Sequence, residues 1–106
     1  MFGLVVRFDI AAGQEAAFDR LTDETVDLVR SREPGTLVYA CHAVSEEPSA
    51  RVFYELYRDR DAFEAHEAQD HVRRFLEERE QFLIGPPRVE FLALQTGKGV
   101  PVPSER

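Results

Sequence analysis

Phe2, Leu4, Val6, Phe8 and Ile10 alternate with Gly3, Val5, Arg7 and Asp9, and this period of two predicts a strand with one buried face. Ala12-Gly13 breaks the rhythm. Over residues 14–31 the positions Ala17, Phe18, Leu21, Thr25, Leu28 and Val29 recur at three- and four-residue steps, which predicts a helix ending before the breaker Glu33-Pro34-Gly35. Its other face carries Glu15, Asp19, Arg20, Asp23, Glu24, Asp27 and Arg30 and is expected to be a solvated face. Residues 37–44 are almost continuously apolar, residues 45–49 (Ser-Glu-Glu-Pro-Ser) read as a polar turn, and residues 52–57 form a second apolar run. The pair predicts an antiparallel hairpin. Arg58-Asp59-Arg60-Asp61 ends it, with Asp59 or Asp61 placed to cap a short helix through Ala62, Phe63 and His66. A further helical segment turns Val72, Phe75, Leu76, Phe82 and Leu83 inward and Glu77, Glu78 and Glu80 outward, until Gly85-Pro86-Pro87 stops it. Residues 88–95 supply a last strand, with Val89, Phe91 and Ala93 on one face and Leu92 and Leu94 on the other.

The order strand, helix, strand, strand, helix, strand predicts an α+β fold built on a four-stranded antiparallel sheet, its second helix broken in two. Helices packed on one side cover only one face of such a sheet, yet the second and fourth strands are apolar on both. The uncovered face calls for a partner, and a two-fold homodimer packing sheet against sheet is the expected solution.

At 106 residues, 43% of them hydrophobic, the chain has material for one core: a domain over residues 1–95 and a tail over 96–106 with little to bury, expected to be extended or partly disordered. Thirteen Lys and Arg against 20 Asp and Glu give a formal charge of -7, which repels nucleic acid and anionic membranes. The single cysteine, Cys41, has no internal disulfide partner and is expected to be a small buried hydrophobe. Arg7 and Asp9 interrupt the first apolar run too early for a secretory signal, so a cytoplasmic location is expected.

Glycine-rich phosphate loops, paired-cysteine zinc spacings, a nucleophile-elbow serine and His-Glu-x-x-His are all missing from the sequence. No metal site and no cofactor are expected. What carries chemistry is a middle cluster: Tyr39 and His42 on the second strand, Tyr54, Glu55 and Tyr57 on the third, then His66 and His71. His66 and His71 stand five apart, which on a regular helix keeps them from one ligand unless the helix breaks between them, as Gln69-Asp70 permits. Two readings stay open for them: capping at a helix junction, or acid-base work in a pocket. Glu55 among aromatics must be paired if buried, either as a structural ion pair with an arginine such as Arg7 or as a catalytic carboxylate.

Taken together, the run from Arg32 through Glu33-Pro34-Gly35 to Tyr39, the strand Phe53-Tyr54-Glu55-Leu56-Tyr57-Arg58-Asp59, and the segment from Ala62 through His66 to His71-Val72-Arg73-Arg74-Phe75 resemble the antibiotic biosynthesis monooxygenase domain family. The resemblance implies a ferredoxin-like dimeric α+β barrel. It implies one of several activities: oxidation of a small phenol or hydroquinone by O2 without a cofactor, isomerisation of a phosphorylated sugar-derived signal, haem degradation, or a non-catalytic ligand-binding or stress-response role. The haem-degrading branch uses a tryptophan and an asparagine, and this chain has neither. For the oxygenase, the resemblance implies His66 or His71 as base or donor, Tyr57 or Tyr39 to orient the substrate oxygen, and Phe63 and Phe75 as a dry wall; Glu55 is a further candidate catalytic residue and Arg7 a further candidate substrate contact. The isomerase would need a cationic grip on phosphate from Arg7, Arg58 or Arg73.

Overall fold

The computed structural model describes residues 1–100. Its elements are β1 (Phe2–Asp9), α1 (Glu15–Arg32), β2 (Thr36–Val44), β3 (Glu47–Tyr57), α2 (Arg60–Glu67), α3 (Asp70–Glu78) and β4 (Arg88–Ala93), with a 3-10 turn at Arg79–Phe82. The strands form one antiparallel sheet in the order β2-β3-β1-β4, the ferredoxin-like arrangement in which the two halves of the chain interleave. The expectation for residues 101–106 of the tail lies outside the described residues. Among the described residues, no helix is long and apolar enough to cross a membrane.

The alternation in β1 does what its period requires. Leu4, Val6 and Phe8 are buried beneath the helices, and Ile10, just past the strand, pairs with Leu83. In α1 the buried positions are Phe18, Leu21, Thr22, Thr25 and Val29, and Thr25 accommodates burial by donating its hydroxyl to the Leu21 carbonyl at 2.8 Å. The rings of Phe8, Phe18, Phe53 and Phe75 pack edge to face and stacked at centroid separations from 4.9 to 6.2 Å, forming the centre of the core.

Register settles which residues share a face. Tyr39 opposes Glu55 and Cys41 opposes Phe53, while Leu4 opposes Glu55 on one side and Phe91 on the other. Phe53, Glu55 and Tyr57 therefore point toward the helices, and Val52, Tyr54 and Leu56 toward the opposite face beside Val5 and Arg7.

Several expectations are corrected. The polar turn shrinks to Ser45 and Glu46: Glu46 takes a positive φ of 65°, closing the hairpin tightly enough for Glu47 to pair with Val44 and extend β3 backward through Pro48. β4 ends at Ala93 rather than Gln95, where pairing with β1 stops at Phe2. Cys41 is exposed, not buried, on the edge strand β2. The acidic face of α1 is not all idle. Arg51 holds both oxygens of Asp19 at 2.9 Å, Ser49 donates to Glu15, and Arg74 of α3 reaches Glu24 at 3.1 Å, tying the helix to its neighbours.

Candidate active site

Pro34 disfavours helical backbone at the residue before it. Glu33 accordingly leaves α1 at φ -127° and ψ 78°, its own N–H still donating to Val29, and its side chain turns inward. A carboxylate buried to this degree needs strong partners. It has three. Thr36 Oγ1 donates to Oε1 at 2.7 Å, His66 Nδ1 lies 2.6 Å from the same oxygen, and His71 Nε2 lies 2.5 Å from Oε2.

Both histidines reach one carboxylate because the helical segment breaks where Gln69-Asp70 permitted it. Asp59 caps α2 by accepting the Ala62 N–H at 2.8 Å, α2 stops at Glu67, and Gln69 adopts an extended backbone at ψ 140° before α3 restarts. His66 and His71 are each buried, at 5% and 7% exposure. The two rings converge on Glu33, so the junction-bonding reading describes their geometry, while the ring atoms left over remain available for chemistry. Among the described residues, no group of three or more His, Cys, Asp or Glu side chains is arranged as a metal cage.

Electrostatics follow from this packing. Burial pushes the Glu33 carboxyl upward, but the hydrogen bonds from His66, Thr36 and His71 and the nearby His66 charge outweigh it and hold it below its ordinary 4.5. An ionised Glu33 is an acceptor only. His66 therefore places a proton on Nδ1, so that in the uncharged form of the ring Nε2 is the basic nitrogen. Nε2 lies 4.0 Å from Glu55 Oε1. Glu55 is buried in mid-strand and accepts the Tyr57 hydroxyl at 2.5 Å; burial raises its pKa, with that hydrogen bond and the His66 charge pulling the other way. Burial also keeps the phenols of Tyr57 and Tyr39 protonated, driving both pKa values up.

These groups border a cavity of about 130 Å3 between helices and sheet, walled by Leu4, Val6, Phe63, Val72, Phe75, Leu76, Val89 and Phe91 and bearing Tyr39, Glu55, His66, Glu67 and Arg79 as its polar members. A void of this size is close to one that holds a single aromatic ring. Tyr39 and Tyr57 flank the His66 ring at centroid distances of 5.4 and 5.1 Å.

Of the residues singled out from sequence, His66, Glu55, Tyr39, Phe63 and Phe75 line the cavity, Tyr57 backs it through Glu55, and His71 backs it through Glu33. Arg7 is not brought there: it sits on the opposite sheet face, bonded to Glu47 at 2.7 Å and Asp9 at 3.2 Å, and so is no ion partner of Glu55 either. His42 is exposed, its Nδ1 3.1 Å from the Val52 carbonyl. Arg58 and Arg73 are exposed and line no part of this cavity. Two members escaped the sequence reading. Glu33 looked like part of a helix breaker, and its only signal was an acid wedged between a helix end and Pro-Gly. Arg79 continues the spacing of Val72, Phe75 and Leu76, and a cation on that inward stripe was the mark that could have found it.

A family model for the antibiotic biosynthesis monooxygenases matches residues 1–78 of the chain. Among solved structures, a Caulobacter crescentus CB15 protein described as a candidate antibiotic biosynthesis monooxygenase is 25% identical, with a TM-score of 0.83 over 89% of this chain and 90% of that one. A Pseudomonas aeruginosa protein is also 25% identical, at 0.80 over 90% and 94% of the two chains. A Mycobacterium tuberculosis protein at 23% identity shares the fold, at 0.84 over 91% and 96%. No curated protein sequence matches significantly.

Proposed function

Because this chain belongs to the antibiotic biosynthesis monooxygenase family, we propose that its cavity is the active site of a cofactor-independent monooxygenase that oxidises a small phenol or hydroquinone with O2. The observation that carries this reading is the buried pair Glu33–His66, which turns His66 Nε2 away from Glu33 beside a ring-sized cavity walled mainly by apolar side chains. Phenols react slowly with O2 until they lose a proton, since only the electron-rich anion gives up an electron readily. His66 Nε2 takes that proton, with Glu33 holding the ring in its basic tautomer and stabilising the imidazolium, while His71 and Thr36 anchor Glu33. Tyr39, kept neutral by burial, donates toward the substrate oxygen.

The phenolate passes one electron to O2, the resulting superoxide and phenoxyl radical combine at a ring C–H carbon para to the oxygen, and the His66 imidazolium protonates the peroxide anion to a hydroperoxide. Loss of the ring proton at that carbon to His66, basic again, and of the distal hydroxyl oxidises the carbon to a carbonyl, and the ring proton afterwards restores Glu55. The products are a quinone and one water, so one atom of O2 enters the ring and the other leaves as water. Glu55, poised toward its neutral acid, is the donor for the departing hydroxide. The walls of Phe63, Phe75, Leu4 and Val6 keep bulk water from the radical pair. A cavity beside His66 also favours an enzyme over a filled, non-catalytic barrel. The isomerase reading loses Arg7, Arg58 and Arg73, none of which lines the cavity, and keeps only Arg79 there as a grip for phosphate.

The proposal extends to a cytoplasmic homodimer packed sheet against sheet. Turnover of an electron-rich phenol with a free para position under 18O2 tests the chemistry. One labelled oxygen is expected in the quinone; a product without label, with hydrogen peroxide released, would make the protein an oxidase and contradict the scheme.

A further inference from the structure

Arg79 sits at the start of the 3-10 turn that follows α3, with its side chain largely withdrawn from water at 18% exposure. Its guanidinium lies over the rings of Phe8 and Phe75, at 5.2 and 5.6 Å from their centroids. Contact with the two aromatic faces favours the charge but offers no acceptor to the guanidinium N–H donors. Nε is buried and makes no hydrogen bond to the protein; its nearest carboxylate oxygen, on Glu80, is 3.7 Å away. A buried donor on a charged group, left unmade, costs the fold free energy. A ligand oxygen placed beside it would complete it.

The surroundings say what kind of ligand. Arg79 is the one arginine or lysine among the residues lining the cavity, and neither acid there forms a hydrogen bond or ion pair with it. Glu55 is bound to Tyr57 and biased by burial toward its neutral form, and Glu67 is exposed at the rim, where water screens it. The cavity thus holds a single cation with a planar fork, whose nearest carboxylate, on Glu80, is too distant to accept a hydrogen bond from Nε. From this geometry we infer that Arg79 is the anion-binding end of the cavity and that the substrate is a phenol whose ring bears a carboxylate. This assignment rests on the oxygenase reading for the phenol and on Arg79 alone for the carboxylate. The planar fork fits a carboxylate through two parallel hydrogen bonds, and a void of about 130 Å3 leaves space for little beyond one substituted ring.

Binding is measured separately from turnover by using 4-hydroxybenzoate and 4-hydroxybenzyl alcohol, whose para positions are blocked, so that failure of the oxygen chemistry leaves the result intact. Calorimetric titration of the native protein is expected to give the carboxylate at least about tenfold tighter binding than the alcohol. In Arg79→Gln the two affinities are expected to converge, while Arg79→Lys retains part of the preference. In the native protein, the Arg79 Nε–H resonance is expected to shift with the carboxylate and to stay in place with the alcohol, a readout that does not depend on any variant folding. Equal affinity for the two ligands, failure of the native protein to bind the carboxylate, or a preference that survives in Arg79→Gln would overturn the assignment. Displacement of the carboxylate by an equal concentration of inorganic phosphate would overturn the choice of anion.

Discussion

Glu33 and Glu55 are both buried carboxylates less than a helix diameter from His66, yet their partners drive them in opposite directions. Glu33 has three hydrogen-bonding side chains and is held below its ordinary 4.5. Glu55 has one phenol and is raised above it. Linkage turns this into a stability profile. A carboxyl whose folded pKa is lowered stabilises the fold above its ordinary value and loses that contribution as pH falls through the folded pKa. One whose pKa is raised stabilises at low pH and loses that contribution as pH rises through the folded pKa. Urea unfolding across the acid-to-neutral range is expected to show Glu33→Gln furthest below the native protein near neutrality, by about 3 kcal/mol, with the gap closing in acid. Glu55→Gln, which keeps an acceptor for Tyr57, is expected to match the native protein in acid and to equal or exceed it near pH 7. Parallel curves for all three proteins would show that neither carboxyl titrates with folding.

The elements were legible where a pattern has one physical cause. The alternation of β1 and the three-and-four spacing of α1 report burial directly, and Gln69-Asp70 gave notice of the break between α2 and α3. The site was legible in part: His66, Glu55 and Tyr39 stand out as polar groups in apolar runs. Glu33 did not, because its role depends on the chain direction that Pro34 imposes and on residues more than thirty positions away. Arg7 was misplaced for a similar reason, since the face it occupies follows from the register with β3 and not from its own neighbours. The approach of α2 to the loop after α1 also depends on a missing side chain. A Cβ on Gly35 would stand 2.7 Å from the Ala62 Cβ, closer than real carbons come. Gly35→Ala is therefore expected to lower stability by about 1–3 kcal/mol, as overpacking does, and to move His66 away from Glu33. An unchanged urea midpoint would show that α2 has slack there.

At the scale of the molecule, the helices cover one face of the sheet and leave the other to Val5, Val52 and Tyr54, while β4 carries Phe91 at 62% and Leu92 at 39% exposure on its two sides. Apolar area on this scale favours self-association. Light scattering is expected to return twice the chain mass of 12.1 kDa, and Tyr54→Glu, on the sheet face away from the cavity, to return the single mass. A native monomer at micromolar concentration would remove the sheet-to-sheet dimer.

The proposed chemistry depends on one nitrogen, His66 Nε2, turned away from Glu33 and lying 4.0 Å from Glu55 beside the cavity. Oxygen uptake by metal-free, flavin-free protein with an electron-rich phenol carboxylic acid tests that claim most directly. The native protein is expected to consume one O2 per phenol oxidised, and a folded His66→Ala variant to lose at least about a hundredfold in rate, within the range a positioned general base supplies. A His66→Ala variant that consumes oxygen as fast as the native protein would contradict it.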